Sequence, residues 1–174
     1  MGIQNINPIK TKAMKNLILI IFALNLNFIQ AQVGIGTTSP QSTLDINGNV
    51  SFKVVSLNGG PGGSATVIDD GYYISLTPTS GSVEFILPDA TLFPGRAYIL
   101  RNISNTETAV IYTFGSNPAP SGGVEFFPGD SRTSLGAQIP VNMLPDASGS
   151  GGARTKTLMY ISDGSNWTYG ALGF

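Results

Sequence analysis

Histidine and cysteine are both absent from this chain of 174 residues. Without histidine the commonest general base and metal ligand is gone. Without cysteine there is no thiol nucleophile, no disulfide, no thiolate metal site and no lipid-modified amino-terminal cysteine. Charge is scarce too: Asp, Glu, Lys and Arg make up 11% of the chain, well under the usual quarter. The formal net charge is -1 and the nine basic residues are scattered, so there is no electrostatic footprint for a phosphate backbone and nucleic acid is not an expected partner. What is abundant is glycine (22) and proline (11), beside a hydrophobic fraction of 41%. That balance predicts one core built from many short strands and turns, an all-β chain. A core of this size can hold without disulfides, so their absence does not argue against export.

The leader comes first. Residues 15–31, KNLILIIFALNLNFIQA, begin with a lysine, continue as an apolar run from Leu17 to Phe28 and end on a small residue before Gln32. This is the pattern of a secretory signal peptide. A membrane anchor is the competing reading, but the run is shorter than the roughly 20 apolar residues a span needs and contains Asn25 and Asn27. Met14 looks like the natural initiator, so residues 1–31 are read as a signal segment with a mis-called start. The mature chain then begins at Gln32, is exported, and has no membrane span after cleavage.

Three segments follow. Residues 32–57 read as an extended arm, with Val33, Ile35, Leu44 and Ile46 apolar at period two. Residues 58–64, NGGPGGS, read as a flexible linker, and residues 65–174 as the globular part. Within it, VEFILPDATLFPGRAYILRNISNTETAVIYTF over residues 83–114 holds three apolar runs parted by Pro88, Pro94-Gly95 and a polar turn after Asn102. The simplest reading is an antiparallel β-meander. Residues 157–162 and 167–172 flank Asp163-Gly164-Ser165-Asn166, a strong hairpin signal. Turns recur at the spacing of a sandwich or small barrel. The expected fold is an antiparallel β-sandwich, jelly-roll-like, preceded by an extended, stalk-like arm.

Gly34, Ile35, Gly36, Thr37, Thr38, Pro40, Leu44, Asp45, Asn47 and Gly48 form a module that resembles the "VGIGTTxP…LDVNGNV" element of secreted bacteroidete surface proteins and of phage tail-fibre and related trimeric fibre proteins. The carboxy-terminal part, through Leu87, Pro88, Pro94, Gly95, Arg96, Tyr98, Asn102 and the Asp163-to-Trp167 stretch, resembles a β-sandwich domain of the same kinds of protein. The resemblance implies that short apolar strands from three chains pack about a common axis. Val33, Ile35, Leu44 and Ile46 would then carry self-association into a homotrimer. The bottom-up reading agrees that an isolated stretch of this size buries too little apolar area to order itself and needs a partner, either the downstream domain or other copies of itself.

Asp69-Asp70 and Asp163 could offer oxygens to calcium, but turn chemistry explains them. Glu84 and Glu125 could form a glycosidase pair if held at the required separation, although solvent-facing glutamates are common. The serines have no histidine to activate them. Arg96 is expected to pack its stem and bond loop carbonyls rather than bind an anion. Tyr73 and Trp167 are possible ligand contacts, as a platform for a surface glycan, and Trp167 is equally a candidate anchor of the core edge. No catalytic residues, metal or cofactor are expected. The function predicted is contact by a secreted structural or adhesive module of the cell surface or an extracellular fibre, acting on a glycan or another surface protein. A monomeric carbohydrate-binding module is the alternative.

Overall fold

The computed structural model describes residues 14–20, 32–115, 123–136, 139–145 and 154–172. Residues 14–20 are helical. The rest of the expected signal segment, with its cleavage point, lies outside the described residues, as does most of the loop at 145–154. Among the described residues no helix is long and apolar enough to cross a membrane. The chain divides into two compact units, Met1–Val50 and Ser51–Phe174.

In the first unit β1 (Val33–Ile35) and β2 (Leu44–Ile46) pair in parallel, Val33 opposite Leu44 and Ile35 opposite Ile46. Parallel neighbours ordinarily need a crossover of a dozen or more residues. Here the loop over residues 36–43 is shorter, because Gly34 lets it pass directly over the strand. A Cβ at Gly34 would stand 2.6 Å from the Thr37 carbonyl oxygen and 2.9 Å from Pro40 Cγ. The Val33 amide donates to Thr43 O at 2.8 Å and the Asn47 amide to Ile35 O at 2.9 Å, which fixes both ends of the pair.

The second unit contains β3 (Val54–Asn58), β4 (Thr66–Val67), β5 (Tyr73–Thr77), β6 (Glu84–Ile86), β7 (Ala97–Asn102), β8 (Ala109–Tyr112), β9 (Phe126–Pro128), β10 (Val141–Met143), β11 (Thr157–Ser162) and β12 (Trp167–Ala171), with a 3-10 helix at Ala90–Leu92. They form a six-stranded sheet, β3-β5-β7-β11-β12-β9, and a four-stranded sheet, β10-β8-β6-β4. The fold is all-β with mixed sheets. The antiparallel meander expected over residues 83–114 is not formed: β6 and β8 are parallel neighbours in one sheet, while β7 lies in the other, parallel to β5. The turns fall where the sequence puts them, but they are too long to return a strand beside its predecessor. Residues 87–96 carry a 3-10 turn and a proline-glycine corner, and that length takes the chain to the opposite sheet. The tight turn at residues 163–166 does give an antiparallel pair, β11 with β12, in the register Ser162↔Trp167.

From β3 to β8 the chain therefore alternates between the two sheets and stacks each new strand parallel to the one before last. Val54 pairs with Tyr73 and Thr66 with Phe85, an advance of 19 residues in both sheets. Tyr73 then pairs with Ile99 and Glu84 with Val110, an advance of 26 in both. Because the two ladders advance together, each turn of the chain adds one rung to both sheets. Antiparallel β11 ends this winding against β7, and antiparallel β10 does so against β8.

Period-two alternation points one side of each strand inward. Ile74, Leu76, Tyr98, Leu100, Leu158, Tyr160 and Trp167 from the six-stranded sheet join Phe85, Ala109, Ile111, Val141 and Met143 from the four-stranded sheet in one buried cluster. β3 belongs to this unit, bound to β5 over five register pairs, so the arm stops at Val50 rather than at Leu57. The expected linker is ordered as well. The Gly60 amide donates to Glu84 O at 2.9 Å, and a Cβ at Gly59 would stand 2.1 Å from the Ser82 carbonyl oxygen. These glycines are required by close backbone approach, not by a need for flexibility.

Candidate functional site

The arm has two unlike faces. Gly34 and Asp45 point to one, which its own loop covers: the Asp45 carboxylate accepts the Gln41 amide at 2.8 Å, and Thr37 and Pro40 are half-buried. On the other side Val33, Ile35 and Leu44 are each 55% exposed, with Ile46 half-buried beside them. The register places all four side chains on a single face. Asp45, the one charged residue between positions 32 and 50, points away from it. The residues expected to carry self-association are thus brought together as an uncharged apolar surface.

Trp167 has no such surface. Its side chain is 0% exposed and its indole N–H donates to Pro88 O at 3.1 Å. It packs beside Tyr98 with ring centroids 5.8 Å apart. Burial removes it from any ligand platform and leaves the core-anchor reading. Tyr73 does face away from the core, half-buried in a lateral row with Val54 of β3 and Ile99 of β7, while Met159 of β11 extends the row. It sits in an apolar stripe, well separated in role from Trp167.

The carboxylates of Glu84, Asp70 and Asp163 are committed to structure. Glu84 accepts the Gly63 amide at 2.9 Å and stands 3.4 Å from the Tyr112 hydroxyl. It belongs to the four-stranded sheet, whereas Glu125 precedes β9 of the six-stranded one, with its amide bonded to Asn166 Oδ1 at 2.9 Å. Asp70 pairs with Lys53 and accepts the Gly71 amide at 2.7 Å; these bonds hold its carboxyl below the usual carboxylate range. Asp163 accepts the Ser165 and Asn166 amides, both at 2.7 Å, as a turn aspartate does. Among the described residues no group of three acids could hold a metal ion.

A second surface feature was not singled out from the sequence. The connection from β6 to β7 forms an open depression of about 440 Å³ lined by Leu92, Phe93, Pro94, Gly95 and Arg96. Pro94-Gly95 is a type II turn: the Arg96 amide donates to Phe93 O at 3.1 Å and Gly95 has φ 78. This loop is held down from below. Trp167 bonds Pro88 O, Ser162 Oγ donates to Ala90 O at 2.9 Å, and the Gly95 amide donates to Ser162 O at 2.9 Å. Asp89 caps the Thr91 amide at 2.9 Å. On this base Leu92 stands 69% exposed, and the Arg96 guanidinium lies over the Phe93 ring, 3.7 Å from its centroid. Arg96 also reaches the Tyr98 hydroxyl at 3.4 Å. Burial pushes the Tyr98 phenol up, and the arginine bond opposes that shift. The signal available in the sequence was LFPGR, a turn flanked by large apolar residues where polar ones are usual.

Compared with family models, with curated proteins and with solved structures, the chain matches none.

Proposed function

We propose that this chain is a secreted, non-catalytic structural or adhesive protein of the cell surface or an extracellular fibre. It works by contact, through a sandwich-like head built on residues 51–174 and through self-association of the arm into a homotrimer. The observation that carries this reading is the uncharged apolar face of Val33, Ile35, Leu44 and Ile46, left open while the opposite face of the same strand pair is covered by its own loop. An open apolar face on so small a unit is stabilised by a partner, and identical faces meeting about a symmetry axis supply one without a second gene product.

The signal-like segment at residues 15–31 supports export. The engagement of Glu84 by Gly63 and Tyr112 weighs against the glycosidase pair. The monomeric carbohydrate-binding alternative loses Trp167 to the core and keeps Tyr73 alone. The solution mass of the exported, purified chain by light scattering tests the proposal. A mass of three chains is the expected result, and a monomer at micromolar concentration would remove the trimeric arm.

A further inference from the structure

We propose that the depression at Leu92, Phe93, Pro94 and Arg96 is a docking site for a protein segment that presents a carboxylate beside an apolar side chain. The inference rests on the contact reading of the head given above, and not on assembly of the arm.

Three observations carry it. Arg96 has no carboxylate partner among the described residues, where the ion pair is Lys53 with Asp70. Its guanidinium is already seated over Phe93 at 3.7 Å, so little freedom is lost when its planar donor fork meets a carboxylate. Leu92, 69% exposed, stands beside that charge at the rim of the same depression. The third observation is the cost of the base. The side chains of Ser162 and Trp167, both buried, are committed to the backbone of this one exposed connection. Such anchoring fixes the geometry before a ligand arrives, which is how a small contact gains affinity.

The charge pattern selects the ligand. Arg96 is the one charged residue among those that line the depression, so the site offers a single positive point. A polyanion is disfavoured there and one carboxylate suits. A sugar docks best on an open aromatic face, but the guanidinium lies over the ring of Phe93, and Leu92 and Pro94 offer aliphatic surface instead. An apolar side chain against Leu92 and Pro94 with its carboxylate on Arg96 satisfies both halves of the site.

The test uses N-acetyl-leucine as the minimal probe, N-acetyl-leucinamide as its uncharged counterpart and glucuronate as the sugar acid. Binding to the exported chain is followed through the Arg96 Nε–H and Leu92 methyl resonances. We expect saturable shifts at millimolar N-acetyl-leucine, the range open to so small a ligand, and at least about tenfold weaker binding of the amide. Arg96→Gln should abolish the acid's preference over the amide. Leu92→Ser, at an exposed position that leaves the fold intact, should weaken the acid several-fold. Equal response to acid and amide, or none at all, overturns the proposal, as does an unchanged affinity in Leu92→Ser. Glucuronate binding as tightly as N-acetyl-leucine would assign the site to sugar acids and overturn the peptide assignment. A monomeric chain that still binds N-acetyl-leucine removes the trimer and leaves this site standing, and a trimer that ignores the probe does the reverse.

Discussion

Trp167 joins two parts of the chain that are far apart in sequence, through one bond from its indole to Pro88 O, and it is wholly buried while doing so. Trp167→Phe leaves that carbonyl without its donor and a void where the larger ring was. The expected loss is on the order of 2–3 kcal/mol in urea unfolding. Tyr160 is the opposite case. Among the described residues its buried hydroxyl has no hydrogen-bond partner, although its ring packs against Phe126 at 5.8 Å and Tyr169 at 5.7 Å. Tyr160→Phe keeps the packing and removes the unsatisfied group, so the variant should match or exceed the parent by up to about 1 kcal/mol in the same measurement. A clear loss of stability would show that the hydroxyl has a partner. Both residues are plain aromatics in sequence. Which of them is bonded depends on Pro88, which reaches Trp167 only because the chain changes sheets between them.

Among the elements, the arm and the glycine loop make separable predictions. Ile35→Asp places a charge on the apolar face of β1 without touching the loop that covers the other face. It should dissociate the proposed trimer in light scattering and leave the melting temperature of the head unchanged. In the glycine loop, Gly59→Ala drives a methyl into the Ser82 carbonyl oxygen and should cost at least about 2 kcal/mol, whereas the nearest neighbour of a Cβ at Gly62 is Glu84 Oε1, 3.9 Å away. Gly62→Ala should therefore be close to neutral, and equal effects in a thermal melt would contradict the close-approach explanation. Strand positions and turns were legible because apolar alternation and proline-glycine punctuation act locally. The hairpin at residues 163–166 was legible in full, down to Asp163 capping its own turn. Strand partners were not, because Val83 to Phe114 alternates in the same way whether its strands return beside one another or cross to the other sheet. The arm's four apolar residues could be named from their period, but their gathering on one face follows from a parallel pairing that Gly34 permits and no period announces.

At the scale of the whole molecule, three phenols report on the core. Burial raises the pKa of Tyr98 and Tyr169, and raises that of Tyr160 well above the usual value near 10. A raised phenol keeps its proton longer in the folded chain than in the unfolded one. Stability is therefore unaffected by these groups below about pH 10. Above it, stability falls as the unfolded chain releases protons that the fold retains, and the fall continues until the folded phenols ionise. With six tyrosines in the chain, part of the phenolate absorbance should appear late and coincide with loss of near-ultraviolet circular dichroism. Six phenols titrating together in the folded protein would contradict the burial assigned to these three. The paired advance of the two ladders also has a consequence for the order of folding. A chain emerging amino-terminus first can lay down β3 to β8 rung by rung, each strand finding a neighbour already present. β7 nevertheless keeps one bare edge until Thr157–Ser162 arrives to cover it. Between the emergence of β7 and that of β11 the protein carries an open template for a neighbouring chain, and the strand that closes it comes only after β8, β9 and β10.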